Sequence, residues 1–144
     1  MTTRTIRDIV AHQTPVTAPS NMTVRMAASI MKERRVGAMM VVEHGQLVGV
    51  FTERDALNRV VAEGRDPMTT TLGEVMTSNP QTVSPDAAFS AALELMHDNR
   101  FRHVPVVEQG RPVGMVSVRD AMGPELESFV YEMLRQEQVS QVLA

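Results

Sequence analysis

The sequence predicts an α/β protein built from two successive β-α-β-β-α units and one further helix. Two observations carry this prediction. Residues 48–55 read VGVFTERD and residues 113–120 read VGMVSVRD, so an apolar run, a hydroxyl residue and an aspartate recur in the same order. Around each stretch, the apolar residues change from the spacing of a strand to the spacing of a helix. The chain therefore contains one structural unit twice.

The repeat holds without a gap from position 15 to position 57, where each residue corresponds to the one 65 positions later. Chance does not give this many identical residues at one offset. The identical pairs include Pro15 with Pro80, Ala27 with Ala92, Met31 with Met96, Gly45 with Gly110, and Asp55 with Asp120. Upstream the offset becomes 66, so one residue was gained or lost near Thr14. A unit of about 60 residues is marginally stable alone, so we expect the two units to share one core.

An amphipathic helix is expected early in each unit. Residues 23–34 place apolar side chains on one face at helical spacing, and either Asn21 or Thr23 can cap this helix. In the second unit, residues 84–86 (Ser-Pro-Asp) predict the helix start, because proline is favoured in the first turn.

Short strands surround these helices, and the later two strands of each unit are joined by glycine-containing segments typical of hairpins. A second helix then begins at Glu53 in the first unit and at Val118 in the second. The expected strands are residues 16–17, 38–42 and 47–52, followed by residues 81–83, 103–107 and 112–117.

These elements divide the chain into four parts: repeat 1 at residues 5–64, a linker at 65–71, repeat 2 at 72–123 and a C-terminal helix at 124–139. Residues 63–71, which include this linker, are polar and contain glycine and proline. The C-terminal helix carries an apolar stripe that must pack on this chain or on a partner, formed by Leu126, Phe129, Val130, Met133 and Leu134.

Composition excludes several classes of function. The net charge of −3 and a pI of about 5.8 give no sign of the basic surface that binds nucleic acid. There is no cysteine, which excludes disulfides and thiolate-bound metals. No stretch approaches the ~20 apolar residues of a membrane span, and the amino terminus is too polar for a signal peptide. We expect a cytoplasmic protein without a membrane partner.

The element Thr52-x-x-Asp55, repeated as Ser117-x-x-Asp120, has two interpretations. It can be a capping box, in which the hydroxyl and the carboxylate each accept from a backbone amide of the following helix or its cap. It can also be a nucleoside cradle, in which the helix amino end attracts phosphate and the aspartate accepts from ribose hydroxyls. In the cradle, Gly49 or Gly114, three residues earlier, leaves room for a flat ring. Spacing alone leaves both interpretations open.

The repeat resembles the cystathionine-β-synthase (CBS) domain, and the chain resembles a free-standing, bacterial-type tandem pair of CBS domains, or Bateman module. The resemblance covers roughly residues 5–122. It rests on RVGAMMVV at residues 35–42, GQLVGVFTERD at 45–55, FRHVPVV at 101–107 and GRPVGMVSVRD at 110–120, with opening turns at 6–10 and 72–77.

The resemblance implies two repeats related by pseudo-twofold symmetry, with two clefts between them that take adenosine-containing ligands. AMP or ATP is the expected ligand, NAD is a further candidate, and no catalytic cofactor is implied. S-adenosylmethionine is less favoured, because Arg102 and His103 suit anions better than a sulfonium.

The resemblance also implies site residues. Asp55 and Asp120 would hold the ribose, and Thr52 and Ser117 would contact ribose or phosphate. The base would be edged by Thr17, Ala18, Thr82 and Val83. The base and phosphate region would be lined by Val36, Gly37, Ala38 and Met39 in repeat 1 and by Phe101, Arg102, His103, Val104 and Pro105 in repeat 2, with Arg119 as a further basic contact.

The two repeats differ where Arg102-His103 replaces Gly37-Ala38. Two basic groups suit phosphate, so repeat 2 can help to bind a charged tail. Arg34, Arg35, Arg54 and Arg119 can substitute as cations for repeat 1, or they can be solvated at the ends of helices. The alternative for His103 is a surface residue at the start of a strand.

No catalytic pattern is visible. The four histidines lack the spacing of metal ligands, and there is neither a glycine-rich phosphate loop nor a nucleophile elbow. We therefore expect a non-enzymatic nucleotide sensor that forms a homodimer and regulates an unidentified protein partner. The alternative is a structural dimerisation or protein-interaction module without a bound nucleotide.

Overall fold

The computed structural model describes residues 4–122 and 131–137, and it has the predicted α/β class. Its elements in chain order are α1 (Ile6–Val10), β1 (Thr17–Ala18), α2 (Val24–Arg34), β2 (Ala38–Glu43), β3 (Gln46–Thr52), α3 (Glu53–Asp55), α4 (Leu72–Val75), β4 (Thr77–Ser78), α5 (Phe89–Asn99), β5 (His103–Glu108) and β6 (Arg111–Ser117). A π-helical stretch, Ala56–Val61, continues α3, and a 3₁₀ turn, Val118–Met122, follows β6.

The predicted C-terminal helix is present at residues 131–137. Two residues of its predicted apolar stripe, Met133 and Leu134, are exposed to solvent there. The other three, Leu126, Phe129 and Val130, lie outside the described residues. No helix within the described ranges is long and apolar enough to cross a bilayer.

Two sheets form the strand layer. The first has the order β1-β2-β3-β4, with β1 parallel to β2 and the other neighbours antiparallel, and the second is the hairpin β5-β6. In repeat 2 the counterpart of β1 is a single parallel bridge between Val83 and Val106. The strand predicted at residues 81–83 is therefore reduced to one bridge, and β4 pairs with β3 where the sequence predicted no strand.

Both hairpins turn through two residues in the left-handed region. The φ angles are 52° at His44, 78° at Gly45, 55° at Gln109 and 80° at Gly110. Two consecutive positive φ angles characterise the type I′ turn, whose twist matches that of the strands it joins. The predicted hairpins are confirmed, and the glycine occupies the same turn position in each.

Helix α2 is capped by Thr23, one of the two predicted residues. The Thr23 hydroxyl accepts from the Met26 amide at 3.2 Å, whereas Asn21 lies outside the helix. The helix buries Val24, Ala27 and Met31 of the predicted apolar face, whereas Ala28 of that face is exposed. It ends at Arg35, whose φ of 56° is left-handed. This end faces the cavity described below.

Helix α5 begins at Phe89, so the predicted start at residues 84–86 is wrong. That segment instead holds α1. The Pro85 carbonyl accepts from the Arg7 amide at 2.9 Å, and the Asp86 carboxylate pairs with the Arg7 guanidinium at 2.9 Å. Because its polar groups bind another element, the segment cannot form the first turn of α5.

The short opening helices are exchanged between the repeats. Ile6 and Val10 of α1 are buried in the core of repeat 2, and Leu72 and Val75 of α4 are buried in the core of repeat 1. The expected single core is therefore replaced by two apolar clusters, each completed by a helix from the other repeat. The exchange ties the repeats together, which a unit of this size needs for stability.

The exchange of the opening helices explains why glycine stands three residues before Thr52 and three residues before Ser117. A Cβ on Gly49 would collide with the Met76 sulfur and lie 3.0 Å from the Thr77 carbonyl oxygen. A Cβ on Gly114 would lie 2.6 Å from the Val10 Cβ. The expectation that these glycines leave room for a ligand ring is wrong, because segments from the opening turns fill that space.

The polar linker packs against the amino end of α2. The Thr70 side chain is buried, and its carbonyl accepts from the Val24 amide at 2.9 Å. The Pro67 carbonyl accepts from the Arg25 amide at 3.0 Å. These bonds satisfy amides that have no partner within the first turn of a helix.

Candidate functional site

A cavity of about 990 Å³ lies between the two repeats. Repeat 1 contributes the segment before β1, the end of α2 and the residues that open β2. Repeat 2 contributes the residues that open β5 and the turn that follows β6. The cavity therefore exists only because the two repeats meet, and its volume is ample for a nucleotide.

The first wall consists of residues 13–16, and it is anchored to repeat 2. The Gln13 side chain donates to the Met115 carbonyl at 2.9 Å and accepts from the Met115 amide at 3.0 Å. This pair of bonds resembles one rung of a strand ladder. It holds Thr14, Pro15 and Val16 along the cavity edge.

The second wall is the junction between α2 and β2. The Val36 amide donates to the Met31 carbonyl at 3.0 Å, which closes the helix end after the left-handed Arg35. Gly37 follows, and its carbonyl accepts from the Glu53 amide at 3.0 Å. A Cβ on Gly37 would lie 3.1 Å from the Glu53 carboxylate, so this glycine keeps the junction compact.

The third wall is the Ser117-x-x-Asp120 element. The Asp120 Oδ2 accepts from the Ser117 amide at 2.7 Å, and the Ser117 hydroxyl lies 3.4 Å from the same oxygen. Within the described residues, the Asp120 Oδ1 has no hydrogen-bond partner. Because an ionised carboxylate is an acceptor at both oxygens, Oδ1 can still accept from a ligand hydroxyl.

The cavity lining carries more positive than negative charge. The basic side chains are Lys32, Arg34, Arg35, Arg102 and Arg119, and the carboxylates are Glu53 and Asp120. None of these basic side chains forms an ion pair within the described part of the chain. A surplus of cations in a cleft attracts anionic ligands and raises their local concentration.

His103 faces the same cavity at the opening of β5. Burial lowers the pKa of its imidazole below the usual range. The charges of Arg119 and Arg102 also lower this pKa, while Glu53 and Asp120 oppose the shift. The imidazole is therefore neutral at pH 7 and can accept a proton when an anion approaches.

In the matching element of repeat 1, Thr52 and Asp55 do not line this cavity, although Glu53 between them does. The Thr52 hydroxyl accepts from the Asp55 amide at 3.1 Å, and the Asp55 Oδ2 accepts from the Thr52 amide at 3.0 Å. Both halves of the predicted capping box are present. The Asp55 Oδ1 lies 3.7 Å from the Arg59 Nε, and the residue is only 8% exposed.

The cavity brings together about half of the predicted site residues. Those that line it are Val36, Gly37, Ala38, Arg102, His103, Ser117, Arg119 and Asp120. Those that do not are Thr17, Ala18, Met39, Thr52, Asp55, Thr82, Val83, Phe101, Val104 and Pro105. Several of the second group are buried in the cores instead, namely Ala18, Met39, Val83, Val104 and Pro105.

Sequence reasoning did not include some of the lining residues among the site residues. They include Gln13, Thr14, Pro15, Val16, Lys32, Glu53 and Met115, together with Arg34 and Arg35, which were considered only as substitute cations. For residues 13–16 the available signal was the change of repeat offset near Thr14, because it marks a segment that differs between the two repeats. The role of Lys32 had no comparable signal.

A family model for the CBS domain matches residues 6–62 and residues 72–123. The chain belongs to the CBS domain family. Among curated relatives, the CBS domain-containing protein YhcV of Bacillus subtilis (strain 168) is 37% identical over 115 residues, which cover 80% of this chain and 81% of that protein. The mitochondrial CBS domain-containing protein CBSX3 of Arabidopsis thaliana is 39% identical over 118 residues, which cover 78% of this chain but 57% of that protein.

Solved CBS structures share the fold of this CBS pair. The CBS domain protein PAE2072 from Pyrobaculum aerophilum, complexed with AMP, has a TM-score of 0.75 and 30% identity, covering 87% of this chain and 99% of that chain. The CBS domain pair of protein MJ0100, in complex with 5′-methylthioadenosine and S-adenosyl-L-methionine, has a TM-score of 0.78 and 28% identity. The match covers 88% of this chain and 99% of that chain.

Proposed function

We propose that this CBS pair is a regulatory, non-enzymatic module that binds one class of ligand, an adenosine nucleotide with an anionic tail, in the cavity between its repeats. The observation that carries the proposal is that the Asp120 carboxylate and a surplus of basic side chains line the same cavity. AMP and ATP are the first candidates, and NAD is the next. The AMP complex of PAE2072 supports this choice of ligand class.

Asp120 would hold the ribose. Its Oδ2 is oriented by the Ser117 amide at 2.7 Å, which leaves Oδ1 directed to other donors. A carboxylate accepts from both hydroxyls of a cis-diol, and each charge-assisted bond contributes roughly 1.5–3 kcal/mol. The capping bond and the ribose bonds use different lone pairs, so the two functions are compatible at this residue.

The anionic tail would lie against Arg102 and Arg119. Both line the cavity on the side of repeat 2, next to His103. Guanidinium groups bind phosphate oxygens in pairs, and a buried imidazole gains a proton when a negative charge approaches. The same side chains disfavour the positively charged sulfonium of S-adenosylmethionine, although MJ0100 is complexed with that compound.

Regulation requires that the ligand prefers one conformation or assembly over another. We propose a homodimer that acts on a protein partner in the cytoplasm. Leu57 and Val61, four residues apart on the helix after β3, are 60% and 69% exposed and support a contact between copies. Light scattering of the purified chain should give the mass of a dimer, and a monodisperse monomer at micromolar concentration would contradict the assembly.

Calorimetry with AMP, ATP, NAD and S-adenosylmethionine tests the ligand class. We expect at least one of the first three to bind, and the Asp120→Asn variant to lose tenfold or more in affinity, which corresponds to about 1.4 kcal/mol. The matched control is Asp98→Asn, because Asp98 is exposed on α5 and does not line the cavity. The proposal fails if none of the three nucleotides binds, or if Asp120→Asn binds as tightly as the control.

The second candidate is an interaction module without a nucleotide. It is favoured by one observation: both aspartates accept from the amide of the preceding hydroxyl residue, so each can serve as a cap without any ligand. On this reading no nucleotide binds, and the Asp55 and Asp120 variants only melt at lower temperature.

A further inference from the structure

We infer that only the Asp120 cleft takes a nucleotide, so that each chain binds one, because the corresponding carboxylate of repeat 1 is nearly buried, lies outside the cavity and forms an ion pair with an arginine. The inference rests on the proposed function and adds stoichiometry and the choice of cleft. Pseudo-twofold symmetry offers a second position around Asp55. The interactions around Asp55 differ from those around Asp120 in three respects.

The first difference is the partner of the aspartate. Four residues after Asp55 stands Arg59, whose Nε lies 3.7 Å from the Asp55 Oδ1. Four residues after Asp120 stands Pro124, which carries no charge and no side-chain donor. In repeat 1 the amide of Thr52 and the guanidinium of Arg59 thus face both carboxylate oxygens.

The second difference is that Arg59 is itself fixed. Its guanidinium donates to the Val75 carbonyl at 3.1 Å and to the Met76 carbonyl at 2.8 Å, at the end of the exchanged helix α4. These carbonyls have no amide partner within so short a helix, and Arg59 satisfies them. A ribose at Asp55 would compete with this ion pair, and any shift of Arg59 to admit it would weaken the hold on α4.

The third difference concerns the next basic residue. Arg54 and Arg119 occupy equivalent positions immediately before the two aspartates. Arg119 lines the cavity, whereas Arg54 donates to the Arg100 carbonyl at 3.1 Å, just after α5. The repeat 1 position therefore has its carboxylate and its neighbouring guanidinium both engaged by the protein. Asp55 is also 8% exposed, which leaves little surface for a ligand.

The two elements thus have matching sequences, but only in the second element do the aspartate and the arginine before it line the cavity. At Asp120 one oxygen has no partner within the described residues, and the basic groups face a cavity. At Asp55 the same groups close a structural joint between β3, α4 and α5. A nucleotide at Asp55 would disturb contacts that hold the exchanged helix, whereas a nucleotide at Asp120 would break no ion pair among the described residues.

Equilibrium dialysis of the full chain with AMP, and with ATP as a second probe, measures the number of sites without any variant. We expect one nucleotide per chain at saturation. Calorimetry of two matched variants then assigns the site: Asp120→Asn should lower affinity tenfold or more, and Asp55→Asn should leave it within about twofold. Asparagine keeps the size of the side chain and one capping oxygen, which favours folding of both variants.

The outcomes separate the two levels of the proposal. Two nucleotides per chain, or a loss of affinity in Asp55→Asn equal to that in Asp120→Asn, overturns the single-cleft inference and leaves the proposed function intact. One nucleotide that is lost with Asp55→Asn, and not with Asp120→Asn, overturns the assignment of the cleft. Absence of binding by both probes and by NAD overturns the proposed function, and the inference falls with it.

Discussion

The elements Thr52-x-x-Asp55 and Ser117-x-x-Asp120 occupy the same place in two copies of one fold, yet they have different surroundings. Asp55 of the first lies beside Arg59 and is nearly buried, and Asp120 of the second lines the cavity between the repeats. Both aspartates accept from the amide of the hydroxyl residue three positions earlier. A capping bond is therefore compatible with either role, and the remaining oxygen decides whether the residue can bind a ligand.

This difference shows that a short motif can fix the local backbone geometry without fixing whether its side chains bind a ligand. The backbone arrangement is reproduced closely: the Glu53 amide donates to the Gly37 carbonyl at 3.0 Å, and the Val118 amide donates to the Arg102 carbonyl at 3.1 Å. What changes is the charge placed four residues after each aspartate. Four experiments can break or sharpen this comparison, and they follow from the largest expected effect to the smallest.

Asp55→Ala should destabilise the fold by about 2 kcal/mol, because the variant loses a charge-assisted capping bond and leaves Arg59 without its carboxylate. Chemical denaturation measures the loss. Asp120→Ala is the matched variant, and it should lose about 1 kcal/mol or less, since Asp120 has no such basic partner within the described residues. Equal losses in the two variants would remove the structural contrast between the repeats.

Gly49→Ala should destabilise by roughly 1–3 kcal/mol, because its methyl group would collide with the Met76 side chain and press on the Thr77 carbonyl. The control is Gly73→Ala in α4, where the new methyl would meet Ser20 at 3.4 Å, an ordinary contact distance. We expect the control to change stability by about 0.5 kcal/mol or less. If Gly49→Ala is as stable as the control, the exchanged packing of the opening turns is not as described.

Arg102→Gln and Arg119→Gln should each weaken nucleotide binding by roughly 1 kcal/mol, or about fivefold, with a larger effect on ATP than on AMP. The reason is that both guanidinium groups line the cavity beside His103. Arg111→Gln is the control, since Arg111 is exposed at the second hairpin and does not line the cavity. Calorimetry at two salt concentrations tests this, because an electrostatic contribution decreases as salt rises.

His103→Asn should change the pH dependence of binding by a small factor. Burial lowers the pKa of His103 in the unliganded protein, and Arg119 and Arg102 add to the shift while Glu53 and Asp120 oppose it. A bound phosphate raises this pKa, so binding takes up a proton. Affinity of the wild type relative to His103→Asn should therefore rise as pH falls from about 8 to about 5.5.

The exposed His97 provides the control, because its imidazole lies on α5 outside the cavity. His97→Asn should follow the pH profile of the wild type throughout. The phosphate group itself titrates near pH 6, but this contribution is common to all three proteins and cancels in the ratio. A constant affinity ratio between the wild type and His103→Asn would show that the imidazole does not meet the anion.

Local features of the fold were predictable from the sequence because short-range chemistry controls them. The hairpins follow from glycine at a fixed turn position, and the start of α2 follows from Thr23. The start of α5 was predicted wrongly, because Pro85 and Asp86 bind Arg7, which lies far away in the chain. The repeat boundaries at residues 5–64 and 72–123 stay predictions.

The candidate site was predictable only in part, for the same reason. Arg102, His103, Ser117 and Asp120 stand out by residue type, and all four line the cavity. The wall at residues 13–16 could not be found, because it reaches repeat 2 only through the exchange of α1 and the bonds between Gln13 and Met115. The engagement of Arg59 with the Val75 and Met76 carbonyls likewise depends on an exchange that the sequence pattern does not reveal.

A crystal structure of the chain grown with AMP tests the central claim most directly. The account predicts one nucleotide per chain, with the ribose hydroxyls within hydrogen-bond distance of the Asp120 carboxylate and the phosphate beside Arg102, His103 or Arg119. Asp55 should keep its contacts with the Thr52 amide and Arg59. A nucleotide bound at Asp55, or one bound away from the cavity between the repeats, would contradict the account.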